Sequence, residues 1–376
     1  MSSFPPSVGI GRVAAHLFRA PIDVPVRTSF GTMVDRPILY VRVEDRDGAI
    51  GWGEVWCNFP SVGAEYRKRL IEAIVGPLLV DIGAIAPASV FQTLMDRLHV
   101  LAIQSGDWGP LAQVCAGLDA ACHDLAARRA GLPLFRYLND GFPKGRARSQ
   151  VECYASGIGP ETPAATIARA RNNGHTAFKV KVGFGDDLDT RTVTSARAEI
   201  GPAHRLMADA NQGWDLDQAL RIAPALAARG LVWLEEPLRA DRPVAEWQRL
   251  AGAVPAALAA GENLVVTSAF ETAVDGEYLG FVQPDVAKWG GVSGCLAVAR
   301  YAASRGVVFC PHFLGGAVGL MTSAHLLAAA GGAGLLEVDV NPNAIRDDHL
   351  DGTADVVDGK LQLGDRPGIG IDPRPH

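Results

Sequence analysis

The sequence lacks the features that mark a secreted, membrane-spanning or nucleic-acid-binding protein. Its N-terminus has neither the basic start nor the apolar core of a signal peptide. Its apolar runs meet a charge or a glycine before they reach the length that a bilayer requires. It has no run of lysine and arginine, and its formal net charge is −6. We therefore expect a cytoplasmic protein that binds neither a membrane nor nucleic acid.

Cysteine is scarce, and no two of the six cysteines form a C-x-x-C pair. Such pairs are typical of structural zinc sites and redox-active disulfides. We interpret the six as reduced thiols, most of them buried, as in cytoplasmic proteins. With 48% hydrophobic and 20% charged residues, the 376-residue chain has the composition of an enzyme with a large core. Its length suits a barrel with a companion domain.

From residue 151 onward, short apolar runs alternate with helical patterns at a nearly constant interval. The predicted strands are 151–156, 177–182, 205–210, 231–235, 257–261, 279–283, 307–311 and 334–338. Eight strands that alternate with helices predict a closed parallel barrel rather than an open sheet. In such a barrel the carboxyl ends of all strands face one mouth, where active sites lie.

The rest of the chain predicts a smaller α+β domain. Residues 8–54 are predicted to form antiparallel strands and residues 61–138 helices, with an irregular lid loop over 21–36. The predicted fold is α/β, a modified (β/α)8 TIM-type barrel of the (β/α)7β form with an α+β capping domain. We assign the capping domain to 1–140, the barrel to 150–351, and a C-terminal segment that returns to the capping domain to 352–376.

Most predicted barrel strands end on a polar side chain that can take part in chemistry. From Lys181 onward, these side chains follow one another at steps of 23 to 28 residues. A strand, a helix and their turns need about that length, since a βαβ unit takes about 30 residues. The strand ends therefore predict a ring of polar groups around one cavity, formed by Lys179, Lys181, Asp209, Glu235, Glu262, Asp285, His312 and Glu337.

Three of these side chains are carboxylates on successive strands, namely Asp209, Glu235 and Glu262. Adjacent strands lie about 4.8 Å apart, so the longer glutamates could reach one shared centre. Three close negative charges need protons or a cation, and an all-oxygen set favours Mg²⁺. The alternative is that each acid caps the following helix, but their equal spacing favours a metal site. Strand alternation predicts that Glu236 points away from this centre.

Lys179 and Lys181 lie two residues apart in a predicted strand, so both should point into the mouth. Two neighbouring ammonium groups depress each other's pKa, which predicts a lysine that can act as a base near neutral pH. The alternative is an edge strand with solvated lysines. A barrel has no free edge, which argues against it.

His312 ends a predicted strand one unit after Asp285. A carboxylate beside a histidine fixes its tautomer and raises its basicity, which favours a catalytic pair over a structural histidine. Glu337, on the last strand, either donates to a substrate carboxylate when protonated or serves as an ordinary ion-pair partner. Residues 315–319, rich in glycine, either present N–H groups to an anion or form a plain turn.

Taken in order, these residues resemble the enolase superfamily in its mandelate racemase subgroup. The motifs span nearly the whole chain and are Lys179-Val-Lys181, Asp209-Ala-Asn211, Glu235-Glu-Pro, Gly261-Glu262-Asn, Pro284-Asp285 with Lys288-Trp-Gly-Gly, His312 and Glu337. The resemblance implies that Asp209, Glu235 and Glu262 hold Mg²⁺. It also implies that Lys181 serves one face of the substrate and the Asp285–His312 pair the other. By the same resemblance, Lys179, Glu337 and Asn211 contact the substrate, the first two at its carboxylate.

The chemistry that this resemblance implies is removal of the proton beside a carboxylate, with the metal stabilising the resulting charge. Two outcomes are open. A racemase, epimerase or cycloisomerase uses the second group to complete an isomerisation, whereas in a dehydratase His312 protonates a departing β-hydroxyl and a 2-keto acid results. A non-catalytic sugar-acid-binding protein is a third interpretation, but it predicts a degraded site and no expected residue is missing.

The substrate is expected to be a small hydroxylated carboxylic acid such as an acid sugar. The segment 21–36 is polar, with Arg27, Thr28, Ser29 and Arg36, and this favours a hydroxylated substrate and hence the dehydratase. We expect specificity to come from 21–36 and 52–60, with Arg27 and Trp56 as substrate contacts. The resemblance also implies a symmetric homo-oligomer.

Overall fold

The computed structural model describes residues 7–28, 31–141, 148–350 and 354–374, except for the side chains at positions 24, 27, 28, 140 and 141. Within these residues, an antiparallel sheet with helices precedes a sheet of parallel strands that alternate with helices. No helix in this part of the chain is both long and apolar enough to cross a membrane. All six cysteines are buried and free.

The first unit is a sheet with the strand order β3-β2-β1-β4, covered by helices. Its strands are β1 (Val8–Thr28), β2 (Gly31–Asp45), β3 (Ile50–Val55) and β4 (Ala84–Ile85). Its α-helices are α1 (Gly63–Leu70), α2 (Gly76–Ile82), α3 (Val90–Ser105), α4 (Trp108–Arg129) and α5 (Leu134–Tyr137). A π-helical turn (Ile71–Val75) joins α1 to α2.

Helix α4 packs directly on β3 because glycines remove the side chains between them. A Cβ atom at Gly53 would lie 2.0 Å from the carbonyl oxygen of Gly117, and one at Gly51 would lie 2.2 Å from that of Ala121. The helix is therefore buried along most of its length, as its alanine-rich sequence predicts. It ends before Gly131, whose φ of 65° is the left-handed conformation expected after a helix C-terminus.

The second unit is the barrel. Its parallel strands are β5 (Gln150–Ile158), β6 (Ala177–Lys181), β7 (Arg205–Asp209), β8 (Leu231–Glu235), β9 (Ala257–Ala260), β10 (Phe281–Val282), β11 (Val308–Phe309) and β12 (Leu336–Asp339). They pair in chain order from β5 to β11, and β12 pairs with β5. Each overlaps one predicted strand, so the predicted fold class is confirmed.

Helices cover the outside of these strands and fill the sequence gaps between them. They are α6 (Pro163–Asn172), α7 (Asp186–Ile200), α8 (Leu216–Ala227), α9 (Val244–Ala251), α10 (Thr267–Asp275), α11 (Gly291–Ser304), α12 (Ala317–Ala330) and α13 (Ala344–Leu350). Helices α6 to α8 bury their apolar faces against the outward side chains of the strands in one hydrophobic cluster. The inward side chains at the strand ends are left to form the mouth.

The prediction of an irregular lid loop over 21–36 is wrong. Apart from positions 29 and 30, which lie outside the described residues, this segment continues β1 and β2 as paired antiparallel strands, in which Val26 pairs with Met33. A register shift between Pro21 and Val26 lets the ribbon accommodate Pro21 and Pro25, which have no N–H to donate. In the β2 half of the ribbon, Met33 and Arg36 are buried and Thr32 and Val34 are exposed, so a charged residue takes a buried position and an apolar one faces solvent. For that reason the strand pattern was not visible in the sequence.

The C-terminal segment contacts the barrel before it reaches the first unit. Strand β14 (Lys360–Gln362) pairs with the start of β5 and, on its other side, with β13 (Val356–Val357). Farther on, Ile369 N–H donates to Asp124 of α4 at 2.7 Å. The predicted return to the capping region therefore describes only the last part of this segment.

Two buried acids of the first unit contact the N-termini of barrel helices. The Glu54 carboxylate accepts hydrogen bonds from the backbone N–H groups of Gly316 (2.5 Å) and Gly319 (2.8 Å) at the start of α12. Asp119 accepts one from Ser293 N–H (3.0 Å) in the first turn of α11. Negative charge is favourable at a helix N-terminus. The glycine-rich turn before α12 thus binds an anion, but that anion is the protein's own Glu54.

This contact predicts a pH dependence of stability. Burial raises the pKa of Glu54 from 4.5 to about 7, although the backbone N–H donors lower it. Because the pKa is raised in the folded state, the contribution of Glu54 to the free energy of unfolding is fully present below about pH 4.5. This contribution is lost as the pH rises through 7. In urea unfolding, Glu54→Gln should therefore gain stability relative to wild type between pH 5 and pH 8, by up to about 3 kcal/mol. A difference between the two proteins that does not change with pH would contradict this.

Candidate active site

The barrel mouth brings the predicted polar residues together because their strands lie side by side in register. Lys181 of β6 is paired with Asp209 of β7, and Asp209 is paired with Glu235 of β8. Asp285 and His312 form an isolated parallel bridge beyond the ends of β10 and β11. All of these residues except Lys181, which is partly buried, are at most 6% exposed. Residues that are evenly spaced in the sequence thus form one enclosed group of charges at the mouth.

The two lysines of β6 contact the carboxylates around them. Lys181 Nζ donates to Asp209 Oδ2 at 2.6 Å. Lys179 Nζ lies 2.7 Å from Glu235 Oε1 and 2.8 Å from Glu337 Oε1. Both side chains therefore point into the mouth, as the alternation of β6 predicts.

The predicted mutual depression of the lysine pKa values is not what the structure shows. Burial is the largest effect and lowers the pKa of Lys181, as does Lys179, but the carboxylates of Asp209, Glu337 and Glu235 together leave the net pKa raised. The pKa of Lys179 is raised well above its ordinary value by Glu235 and Glu337, against the effect of burial. In the sequence, the nearest charge to each lysine is the other lysine. In the folded chain, the charges nearest to both are carboxylates.

The Asp285–His312 pair has the predicted geometry. His312 Nδ1 lies 2.7 Å from Asp285 Oδ2, and the other Asp285 oxygen accepts a hydrogen bond from Ala287 N–H at 2.8 Å. His312 Nε2 faces the mouth, 3.4 Å from Glu262 Oε2 and 3.9 Å from Glu337 Oε2. Burial lowers the pKa of His312, but these three carboxylates together raise it to about 9.

Glu337 is an ion-pair partner rather than a protonated donor. Burial raises the pKa of Glu337, but Lys179 and His312 lower it to about 2. It also accepts hydrogen bonds from Ser156 Oγ at 2.5 Å and from Phe313 N–H at 3.2 Å. Of the two interpretations of this residue, the structure supports the ordinary ion pair.

The predicted orientation of Glu236 is wrong. The residue has a φ of 39°, which ends the regular alternation of β8, and its side chain is 1% exposed. Its carboxylate accepts from Asn263 Nδ2 at 2.9 and 3.0 Å. Burial, followed by the charges of Glu262 and Asp209, raises its pKa well above the ordinary value. Glu236 thus belongs to the same group of acids, although a sequence pattern of period two excludes it.

With every group ionised, the charges at the mouth do not balance without a cation. Six carboxylates face four basic groups, and the ten side chains are Asp209, Glu235, Glu236, Glu262, Asp285, Glu337, Lys179, Lys181, Lys288 and His312. Full ionisation leaves two negative charges in a buried place. Burial and Asp209 raise the pKa of Glu235 to about 7, as expected where negative charge is in excess. A divalent cation would balance this charge, and oxygen-only donors fit Mg²⁺.

The acids do not converge on one centre as the sequence predicted. Among the described residues, no three His, Cys, Asp or Glu side chains lie close enough together to hold a metal ion. Instead, Lys179 contacts Glu235 Oε1 at 2.7 Å, and Lys181 contacts Asp209 Oδ2 at 2.6 Å. The donor type and the charge of these acids fit a hard divalent cation.

The structure describes two of the three predicted substrate contacts, Asn211 and Trp56, including their side chains. Asn211 is 5% exposed, and its backbone N–H donates to Asp209 Oδ1 at 2.8 Å. The Trp56 ring lies over Lys288 Nζ, which is 4.9 Å from the ring centroid, so this indole borders the mouth. Arg27 belongs to β1, and its side chain lies outside the described residues. The roles of all three stay predictions.

Sequence reasoning missed several side chains that hold the acids in place. Gln283 Nε2 donates to Glu235 Oε2 at 2.7 Å, and Trp233 Nε1 donates to the same oxygen at 3.1 Å. Tyr154 lies below Lys179, whose Nζ is 5.2 Å from the ring centroid. Trp233 lies two residues before Glu235 on β8, and Gln283 lies two before Asp285, directly after β10. Period-two alternation from the predicted residues would have found these two, whereas β5, which holds Tyr154, carries no predicted site residue.

A barrel mouth with buried carboxylates, lysines on one strand and a histidine–aspartate pair on other strands is the kind of site with which an enzyme can move protons on a small molecule. The comparisons with known proteins agree. Residues 12–138 match the mandelate racemase/muconate lactonizing enzyme N-terminal domain, and residues 163–376 match the enolase C-terminal domain-like family. The chain belongs to the enolase superfamily, in its mandelate racemase/muconate lactonizing enzyme subgroup.

Relatives of this chain catalyse more than one reaction. It is 33% identical to L-talarate/galactarate dehydratase of Salmonella typhimurium, over 89% of this chain and 80% of the relative. It is 31% identical to 3,6-anhydro-alpha-L-galactonate cycloisomerase of Streptomyces coelicolor, over 96% of each chain. Known relatives thus include acid-sugar dehydratases and isomerases.

Solved structures share the whole fold. A mandelate racemase/muconate lactonizing enzyme from Bordetella bronchiseptica RB50 is 50% identical, with a TM-score of 0.90 over 98% of each chain. A racemase from Streptomyces coelicolor A3(2) with bound magnesium is 27% identical, with a TM-score of 0.83 over 97% of each chain.

Proposed function

We propose that this enzyme dehydrates an acid sugar, or another hydroxylated carboxylic acid, to a 2-keto acid with the help of Mg²⁺. In this proposal Asp209, Glu235 and Glu262 hold the cation. Bound there, Mg²⁺ would stabilise the negative charge that develops on the substrate carboxylate when the neighbouring C–H is broken. The excess of two negative charges at the mouth supports the presence of a divalent cation.

We assign the other roles in the reaction to side chains of the protein. Lys181 takes the proton beside the carboxylate, once Asp209 no longer holds it as an ammonium ion. Lys179, fixed between Glu235 and Glu337, provides positive charge for the substrate carboxylate. His312 gives a proton to the departing β-hydroxyl, and Asp285 holds the ring in the orientation that presents Nε2 to the mouth.

The observation that favours dehydration is the placement of His312, whose Nδ1 is held by Asp285 at 2.7 Å while Nε2 faces the mouth. The carboxylates around the ring raise its pKa to about 9, which favours the protonated form that a general acid needs. A hydroxyl group leaves readily only when it is protonated as it departs, so a protonated histidine on the far side from Lys181 suits this step. Lys181 is the last residue of β6 and His312 follows β11, and β5 and β12 lie between these strands in the barrel.

A partly polar cavity beside the end of β12 is compatible with a hydroxylated substrate. The β1–β2 hairpin and the segments after β5 and β12 line this cavity of about 770 Å³. Its lining is mixed, with Arg36, Glu161, Arg169 and Asn341 among apolar side chains such as Ile22 and Val26. Arg36 is 3% exposed and pairs with Asp339 at 2.7 Å, which joins the hairpin to the end of β12.

A screen of acid sugars with Mg²⁺ in D₂O tests the proposal. We expect at least one acid sugar to yield a 2-keto acid, detected as its semicarbazone. Recovery of substrate with inverted configuration and incorporated deuterium, but without keto acid, would instead identify an epimerase. Formation of a cyclic or ring-opened isomer without loss of water would identify a cycloisomerase.

A further inference from the structure

Lys288 lies at the mouth but has no part in the proposed reaction. Its Nζ donates to Glu262 Oε2 at 2.9 Å and to Asn263 Oδ1 at 2.9 Å. On a third side, Nζ faces the Trp56 ring at 4.9 Å from the centroid. An ammonium group has three N–H donors, so these three partners leave it little freedom. Its residue is 8% exposed, which also keeps it from water.

The contacts continue beyond Lys288 to a second acid. Asn263 accepts from Lys288 through its Oδ1 and donates from its Nδ2 to both oxygens of Glu236. These contacts fix which way the amide faces, because its oxygen must meet the ammonium and its nitrogen the carboxylate. Glu236, Asn263 and Lys288 therefore form one ordered chain that ends on Glu262.

We propose that Lys288 is a positioning residue, which orients Glu262 for the divalent cation and links this ligand to the capping unit through Trp56. The inference rests on the proposed function, since it assumes that Glu262 binds the cation. Lys288 contacts only Oε2, and Oε1 accepts no hydrogen bond from the residues that the structure describes. The main chain of Trp56 is tied to the barrel, because its backbone N–H donates to Ala287 O at 3.1 Å.

The charge and the position of Lys288 affect cation binding in opposite directions. An ammonium ion repels a nearby cation, so removal of the charge alone should strengthen Mg²⁺ binding. Loss of the group that orients a metal ligand typically weakens metal binding by about 10- to 100-fold. The direction of the change therefore separates a positioning role from a simple counter-charge.

The test is Mg²⁺ binding to Lys288→Met, measured by isothermal titration calorimetry on the full chain. We expect the dissociation constant to rise by about 10- to 100-fold. An unchanged or lower constant would overturn the proposal. Lys68→Met is the matched control, because Lys68 also pairs with a glutamate, Glu72 at 2.7 Å, but on an exposed helix.

Asn263→Ala tests the positioning of Glu262 without changing any charge. This variant tests the proposal on its own if Lys288→Met does not fold. We expect weaker Mg²⁺ binding, whereas an unchanged constant would contradict positioning. Trp56→Leu should also weaken binding, and no change would refute the link to the capping unit. Failure of the wild-type chain to bind Mg²⁺ would instead refute the proposed function. Weak binding by the variants alone concerns only the positioning role of Lys288.

Discussion

Replacement of His312 by Asn is expected to lower keto-acid formation by about 10²- to 10⁴-fold, the usual contribution of a general acid. Asn keeps a polar side chain but cannot deliver a proton to a departing hydroxyl. Lys181 and its environment are unchanged in this variant, so the proton beside the carboxylate should still exchange for one stereoisomer of the substrate. Proton NMR in D₂O, with keto-acid detection on the same samples, measures both processes.

The control for this experiment is His99→Asn, which removes an exposed imidazole that packs against Trp108 on helices α3 and α4. It should leave both exchange and keto-acid formation unchanged. If His312→Asn instead stops exchange for every stereoisomer while Mg²⁺ still binds, the two-sided arrangement of Lys181 and His312 is wrong. The histidine would then act on the same proton as the lysine.

Removal of the divalent cation is the second large effect that we expect. Chelation should lower turnover by at least about 10³-fold, because the cation supplies several kcal/mol of charge stabilisation and each 1.4 kcal/mol corresponds to a factor of ten. Asp209→Asn should have a similar effect at limiting Mg²⁺, since it removes one of three acids and releases Lys181. Activity assays across a Mg²⁺ titration, with calorimetry on the same proteins, measure both consequences.

Asp217→Asn provides the matched control, because it is the same substitution at an exposed position in the first turn of α8. It should bind Mg²⁺ and turn over substrate as the wild type does. Full activity in a thoroughly chelated sample would refute the metal-dependent proposal as a whole. Loss of activity in Asp209→Asn with normal Mg²⁺ binding would remove Asp209 from the ligand set and leave the rest standing.

The sequence predicted which residues meet at the mouth, and the reason is geometric. Asp209 and Glu235 end neighbouring strands of a parallel barrel, and parallel strands bring their carboxyl ends to the same side. Even spacing along the chain therefore translates directly into proximity in space. The same reasoning located Asp285 beside His312 before any distance was known.

Prediction from the sequence failed where the backbone departs from regular strand geometry. Glu236 follows the last residue of β8 with a positive φ, so the alternation that should turn it away from the mouth no longer applies. The β1–β2 hairpin over 21–36 gave no recognisable strand pattern, because the charged Arg36 is buried in it while Val34 is exposed. Both errors come from patterns that report burial in a regular sheet.

The sequence by itself determined the barrel, the order of its strands and the set of polar residues around its mouth, since these follow from the period of the chain. Only the tertiary structure decided how those residues are charged. The pKa of Lys181 depends on Asp209 as well as on Lys179, and that of His312 on Glu262 and Glu337 as well as on Asp285. Electrostatic effects depend on distance and burial, and charges far apart in the chain become neighbours only when the barrel closes.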